Sequence, residues 1–296
     1  MSSVAIVGPG RMGLTLALAL AESRDFRSIT VYGRHPEPPI HPAFADGSAR
    51  YVFGLEPLER DAIAVLLAVP DSAIPEMASA LAGHGSAPDG CCAFHLSGAL
   101  PTDVLEPLHH QGYAVGSFHP LVTIADSLAD GERLDGAYVS VTGAPETVAV
   151  ARRLTSAIGS RLVTIPGARR PLYHAGVAMA STFVLPLLAR SAHLMERAGV
   201  SGDDALLALL PLMRGTLDSV ERGGVPDAVH GPIARGDLET VALHLRALDA
   251  EDQRLYSLLG LEVLRLAEGG IDPEAYRAMA DLFGRYVELE TTGMGY

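Results

Sequence analysis

The chain opens on four consecutive apolar residues, Val4-Ala5-Ile6-Val7, and short apolar runs of this kind recur through its first half. Runs at 29–32, 63–69, 91–96, 115–118, 138–141 and 162–165 are strand-length. Stretches with helical spacing of apolar positions fall between several of them, at 12–22, 74–81, 104–111 and 146–158, with Pro145 suited to the first turn of the last. The segment 34–50, rich in Pro and His, predicts a loop. After about residue 166 the strand signals stop. Helical periodicity covers 173–198 with a kink expected at Pro186, Ser201 and Asp204 form a capping pair for a helix to about 221, and Asp237 and Asp272 stand as starts of later helices. The pattern predicts an α/β fold: a Rossmann-type, mostly parallel sheet over 1–165, then an all-helical domain over 166–296.

The first strand runs directly into Gly8-Pro9-Gly10-Arg11-Met12-Gly13. A strand, a glycine turn and a helix start in this order suit a dinucleotide pyrophosphate. Gly8 permits the tight turn, Gly10 lets the backbone approach the phosphates, and Gly13 lets the helix lie close to its strand. A tight turn without a ligand is the plainer alternative. A site that prefers NAD places a carboxylate at the end of the second strand to hold the ribose 2′-hydroxyl. Here Gly33 takes that place and Arg34 and His35 follow. A guanidinium pairs with a 2′-phosphate, so the expected coenzyme is NADP rather than NAD. The next central strand ends Ala68-Val69-Pro70-Asp71, at the edge where such a sheet binds ligands.

Composition narrows the chemistry. With 296 residues and 48% hydrophobic content the chain has enough apolar material for two cores. Net charge is −13, which argues against a nucleic-acid partner. No apolar run of membrane-spanning length is free of a charge or a Pro/Gly break, and no basic region precedes an apolar one at the N-terminus, so neither a membrane nor a signal peptide is expected. The adjacent Cys91 and Cys92 suit reduced core residues, and the chain is expected in the cytoplasm. There is no lysine, so all 22 basic residues are arginine. That removes Schiff-base, P-loop and Tyr-Lys dehydrogenase mechanisms together. Metal-ligand spacing is missing, and the neighbours His109 and His110 point apart on a helix.

Two later strands end in polar groups: Ser97 after His95-Leu96, and His119 after Ser117-Phe118. Both can converge where hydride moves, with an imidazole near neutral pKa passing the proton and a hydroxyl orienting it or the substrate. His95 lies within its strand and reads as a core residue. Arg235, in the glycine-flanked segment before Asp237, is a candidate anchor for a substrate carboxylate. For each of these a structural hydrogen bond or a surface loop is the alternative.

The motifs Leu96-Ser97-Gly98-Ala99-Leu100, Ser117-Phe118-His119-Pro120-Leu121, Leu172-Tyr173-His174-Ala175 and 231–237, in this order, resemble a bacterial family. Its members carry a Rossmann-like NAD(P) domain and a helical domain of unassigned function, and are similar to pyrroline-carboxylate reductase. The helical half also resembles the C-terminal domain of 6-phosphogluconate dehydrogenase. A more distant likeness to prephenate dehydrogenases, where a histidine hydrogen-bonds the substrate hydroxyl and assists hydride transfer, falls on Ser97 and His119. The chain departs from them in continuing Pro120-Leu121-Val122-Thr123, without their glycine. In the wider group of two-domain reductases the long helix of the second domain often supplies a lysine. Tyr173 or His174 would replace it here, and Thr182 stands where the family commonly has Asn.

These readings converge on an NADP-dependent oxidoreductase acting on a small carbonyl, imine or hydroxy acid, with a carboxylate on the substrate. His119, Ser97 and His174 are the catalytic candidates, and Tyr173 and Arg235 the substrate contacts. A homodimer through the helical domain is expected. The rival from another class is a sensor or scaffold that binds NADP(H) without turnover.

Overall fold

The computed structural model describes residues 2–45, 47–126 and 134–287. It contains an eight-stranded sheet: β1 (Ser3–Val7), β2 (Ser28–Gly33), β3 (Arg50–Phe53), β4 (Ala62–Leu67), β5 (Cys92–His95), β6 (Ala114–Pro120), β7 (Tyr138–Gly143) and β8 (Arg161–Thr164). Their order is β3-β2-β1-β4-β5-β6-β7-β8, and every pairing is parallel except β6 with β7. The helices among the strands are α1 (Arg11–Ser23), α2 (Pro42–Ala45), α3 (Ile74–Ala82), α4 (Glu106–His109) and α5 (Pro145–Ala157). β1 and β4 are apolar almost throughout because both sheet faces are covered, as parallel sheets require. One core, around Ile6, Leu16, Leu66, Phe94 and Phe118, fills one face, and another, around Val7, Leu67, Ile74, Leu81 and Leu105, fills the other.

Beyond the sheet come α6 (Arg170–Ala180), α7 (Val184–Arg197), α8 (Gly202–Asp227), α9 (Leu238–Ala247), α10 (Ala250–Leu266) and α11 (Pro273–Val287). Ser201, Asp237 and Asp249 cap α8, α9 and α10 by accepting backbone N–H bonds, and Asp272 accepts from Glu274 and Ala275 at the start of α11. α9, α10 and α11 share a third core of Val241, Leu245, Leu264, Met279 and Phe283.

Three local expectations are corrected. The segment 34–50 is not all loop: it holds α2 and runs into the edge strand β3, whose four residues, Phe53 outermost, are too few to show alternation. The long helical stretch breaks at 181–183 rather than at Pro186, which sits in the first turn of α7 where its missing N–H costs nothing. α8 continues to Asp227, past the expected end, and bends at Gly224, which has φ of 79°.

The chain forms two compact units, Met1–Val184 and Leu185–Tyr296. The sheet ends at Thr164, and α6 goes with the first unit, where Arg170 is buried against the strand ends. Gly167–Arg197 is long and apolar enough by length and composition to cross a membrane (mean hydropathy 1.5), with the break between α6 and α7 at 181–183 inside it.

Candidate active site

The glycine turn has the geometry a diphosphate needs. Gly8 has φ of +110°, and a Cβ there would lie 2.4 Å from the Ala68 carbonyl oxygen at the end of β4. A Cβ on Gly13 would lie 2.0 Å from the Gly8 carbonyl oxygen. Side chains at either position would force α1 away from the sheet. Gly10 is the N-cap of α1 and no side chain caps it, so the first N–H groups of the helix remain available to an anion. Pro9, Arg11 and Met12 complete the turn, with Arg11 exposed.

At the end of β2, Gly33 answers to packing as well as to chemistry. A Cβ there would meet the Tyr51 hydroxyl at 2.3 Å, and that hydroxyl donates to the His35 carbonyl at 2.6 Å. Tyr51, on the strand that sequence reasoning missed, thus excludes an acidic side chain and shapes the loop that carries the exposed Arg34 and His35. Ala68, Val69 and Pro70 follow β4 directly, as expected. These residues fit NADP: a cradle that only glycine permits, uncapped helix amides, and a cation in place of the acid.

The second polar group lies on one face of the sheet further along. Cross-strand pairing puts His95 opposite Ser117, Ser117 opposite Thr142, and His119 opposite Ser140. The first turns of α6 close over this face. The Tyr173 hydroxyl lies 2.8 Å from His119 Nδ1, and the two rings meet edge to face. His174 also meets the His119 ring edge to face, with centroids 5.8 Å apart. Gly98 is wedged between them: a Cβ there would approach His174 Cδ2 to 2.3 Å and His119 Cε1 to 3.0 Å. Tyr173, His174, His119 and the turn after β5 therefore form one cluster, within the first unit.

Arg170 holds this cluster together and is itself fully buried. Its Nε donates to the Leu100 carbonyl, and Nη1 donates to Ser117 Oγ and Thr142 Oγ1. Nη2 donates to the Ser97 carbonyl. Among the described residues no carboxylate forms an ion pair with it. The guanidinium ties the ends of β5, β6 and β7 to α6 through neutral acceptors. Nothing in the sequence separates it from its neighbour Arg169, so it escaped notice.

Electrostatics revise the role expected of His119. Burial, His174 and Arg170 together push His119 down to about 4, against the Asp71 carboxylate. It is a neutral imidazole at pH 7 and not an acid poised near neutrality. His95, fully buried, is held at about 4 by burial and Arg170, consistent with a core residue. Burial raises the Tyr173 hydroxyl, while Ser140 and Arg170 oppose that shift.

Ser97 does not have a free hydroxyl. It donates to Asp71 Oδ2 at 2.6 Å and accepts from the amides of Ala99 and Leu100 at 3.2 and 3.1 Å. This corrects the expectation that it orients the substrate: it shapes the turn that presents Gly98, and Asp71 is its missed partner. Arg235 lies exposed in the second unit. Its segment ends in Asp237, whose carboxylate caps α9 through Thr240. His109 and His110 are exposed, and no group of metal-binding residues occurs among the described residues. Thr182 is exposed in the break after α6.

Residues 1–120 match the Rossmann-like domain family, and residues 137–263 match DUF2520, a domain of unknown function. The chain is a Rossmann-like domain followed by DUF2520. Ser97 and His119 come from the Rossmann-like part, and Arg170, Tyr173 and His174 from the start of the DUF2520 part. No curated protein matches the chain as a relative. Among solved structures it is similar to the protein BF3122 from Bacteroides fragilis (24% identity, TM-score 0.66, covering 88% of this chain and 97% of that one). It is also similar to Plasmodium falciparum pyrroline carboxylate reductase with NADP bound (13%, 0.60, 95% and 98%) and to a reductive aminase from Aspergillus terreus in complex with NADPH (15%, 0.59, 100% and 96%). The shared fold spans both the Rossmann-like domain and DUF2520.

Proposed function

We infer that the protein is an NADP-dependent oxidoreductase that moves hydride to or from a small carbonyl, imine or hydroxy-acid substrate. The observation that carries this reading is the Tyr173–His119 contact at 2.8 Å, in the same unit as a glycine turn shaped for a diphosphate. A sensor would need the turn but has no use for a phenol and two imidazoles packed together. The relatives that carry NADP or NADPH in their structures share this fold and support the reading.

NADPH would be held by the turn from Gly8 to Gly13, with Arg34 toward its 2′-phosphate, and it supplies the hydride when bound. The residues of the chain then account for the proton. The Tyr173 hydroxyl donates it to the oxygen or nitrogen of the substrate as the double bond is reduced. His119 Nδ1–H restores it, and the imidazole takes a proton at its other nitrogen, passing between tautomers without needing to become a cation. His174 packs edge to face on the same ring and helps hold its orientation. Gly98 keeps the space the two imidazoles share. With no lysine in the chain, the phenol takes the place of the usual ammonium donor.

The second unit supports a homodimer. α8 buries only Ala205 of its 26 residues, α7 buries none of its 14, and Leu207, Leu212 and Leu217 are about two-thirds exposed. Amphipathic helices gain their stability by covering an apolar face, so these need a partner, and a second copy of the chain supplies it. Arg235 remains the candidate anchor for a substrate carboxylate from this unit. Cys91 and Cys92, both buried and unpaired, go with a reducing compartment, the cytoplasm.

The test is NADPH binding by fluorescence titration, followed by NADPH oxidation against keto acids, cyclic imines and ketones. Tight binding with turnover of one class supports the reading. Binding without turnover of any class favours a sensor, and no binding of NADPH or NADH overturns the coenzyme assignment.

A further inference from the structure

Arg170 is one of the largest fully buried side chains in the protein, and it is a cation. Burying an unpaired charge is costly, and chains keep one only where the alternative is worse. Its four hydrogen-bond partners, two carbonyls and two hydroxyls, are all neutral. Any of them would serve a neutral amide or hydroxyl as well, so the hydrogen bonds alone do not explain a guanidinium. What a charge adds is a field, and the question is which group lies in it.

Tyr173 follows Arg170 by three residues on α6, so the two side chains lie on one face of the helix a single turn apart. We propose that Arg170 is a positioning residue whose buried charge stabilises the phenolate of Tyr173, taking the part that a lysine plays beside a catalytic tyrosine in a chain that has none. This rests on Tyr173 as the proton donor. When Tyr173 O–H breaks and its proton passes to the substrate oxygen or nitrogen, the electron pair stays on the phenolic oxygen. That oxygen is then an anion in a half-buried site, and it needs a nearby cation. His119 and His174 flank it, and His119 is neutral, so it offers a hydrogen bond but no charge. His95 behind Arg170 is neutral as well. Among the described residues, the carboxylate that acts on the cluster is Asp71, which is engaged by Ser97 and faces solvent. Arg170 brings a positive charge to this face and is fixed there at four points.

The proposal is tested on the full chain by titrating Tyr173 spectrophotometrically through the phenolate absorbance. Each protein is compared with the same protein carrying Tyr173→Phe, which isolates Tyr173 from the other eight tyrosines. Arg170→Met is expected to move the midpoint of Tyr173 upward by about one pH unit or more, a tenfold or larger loss of acidity. Should Arg170→Met fail to fold by circular dichroism, Arg170→Gln, which keeps donors for the two carbonyls, carries the same expectation. A folded neutral variant with an unmoved midpoint overturns the proposal. The titration needs no coenzyme. Loss of NADPH binding by the unaltered protein would therefore sink the coenzyme reading while leaving this coupling measurable.

Discussion

The Tyr173 hydroxyl and His119 Nδ1 stand 2.8 Å apart, although 54 residues separate them in the chain. One comes from the first turn of a helix and the other from a strand end, and neither alone is a proton-transfer device. A half-buried neutral imidazole beside a phenol is one, because the ring can receive a proton at one nitrogen while releasing it from the other. Tyr173→Phe removes the donor but keeps the ring. It is expected to lower kcat about a hundredfold to ten-thousandfold with NADPH affinity unchanged, measured by steady-state NADPH oxidation and fluorescence titration.

The two depressed histidines set an acid limit on stability. The ordinary value is 6.5, and both His95 and His119 sit at about 4 in the folded chain. Between these values the unfolded chain binds more protons, so stability rises with pH. The contribution is complete above about pH 6.5 and is lost as pH falls toward 4. Urea midpoints measured from pH 7.5 to 4.5 are expected to fall on the acid side, and His119→Asn to flatten that slope. An unchanged slope in the variant would show that His119 is not held neutral by its surroundings.

Gly8→Ala tests the cradle. The position combines a φ of +110° with a backbone carbonyl 2.4 Å from the added Cβ, and neither can yield without moving α1 or β4. A loss of about 1–3 kcal/mol in urea denaturation is expected. NADPH affinity should fall at least about tenfold, equivalent to one charge-assisted bond to the diphosphate.

Arg34→Glu tests the choice of coenzyme. Replacing a cation with a carboxylate should weaken NADPH by about ten- to a hundredfold, the worth of a hydrogen bond to a charged group, and leave NADH level or improved. The ratio of the two dissociation constants is the measurement. Equal effects on both coenzymes would move the 2′-phosphate away from Arg34.

Leu207→Glu with Leu217→Glu tests the proposed dimer face on α8. Both side chains are about two-thirds exposed on α8, so a monomer tolerates the change with little effect on folding. A dimer through this face loses affinity instead, and light scattering after gel filtration should report half the mass. An unaltered mass in the variant would place the partner surface elsewhere.

Much of this was legible in the residues themselves. The strand-glycine-helix opening, the alternation of strands and helices to residue 165 and the caps at Ser201, Asp237 and Asp272 are local matters. They depend on side-chain period, on missing Cβ atoms and on short polar side chains beside free amides. The absence of lysine narrows the mechanism on composition alone. His119, Tyr173 and His174 carried a signal because they stand in short motifs at element ends.

What only the tertiary structure decided is who meets whom. Sequence places Ser97 and His119 at similar strand ends, yet one hydroxyl is spent on Asp71 and two amides while the imidazole faces a phenol. Gly33 reads as a vacancy for a ribose-binding acid, and the fold adds Tyr51, packed on it from an edge strand too short to announce itself. Arg170 reads as one arginine among 22, and burial alone sets it apart. The reason is physical. Backbone preference is written in neighbours along the chain, whereas protonation, strain and the use of a hydroxyl are set by desolvation and by contacts between strands far apart in sequence, which exist only once the sheet has formed and α6 has closed over it.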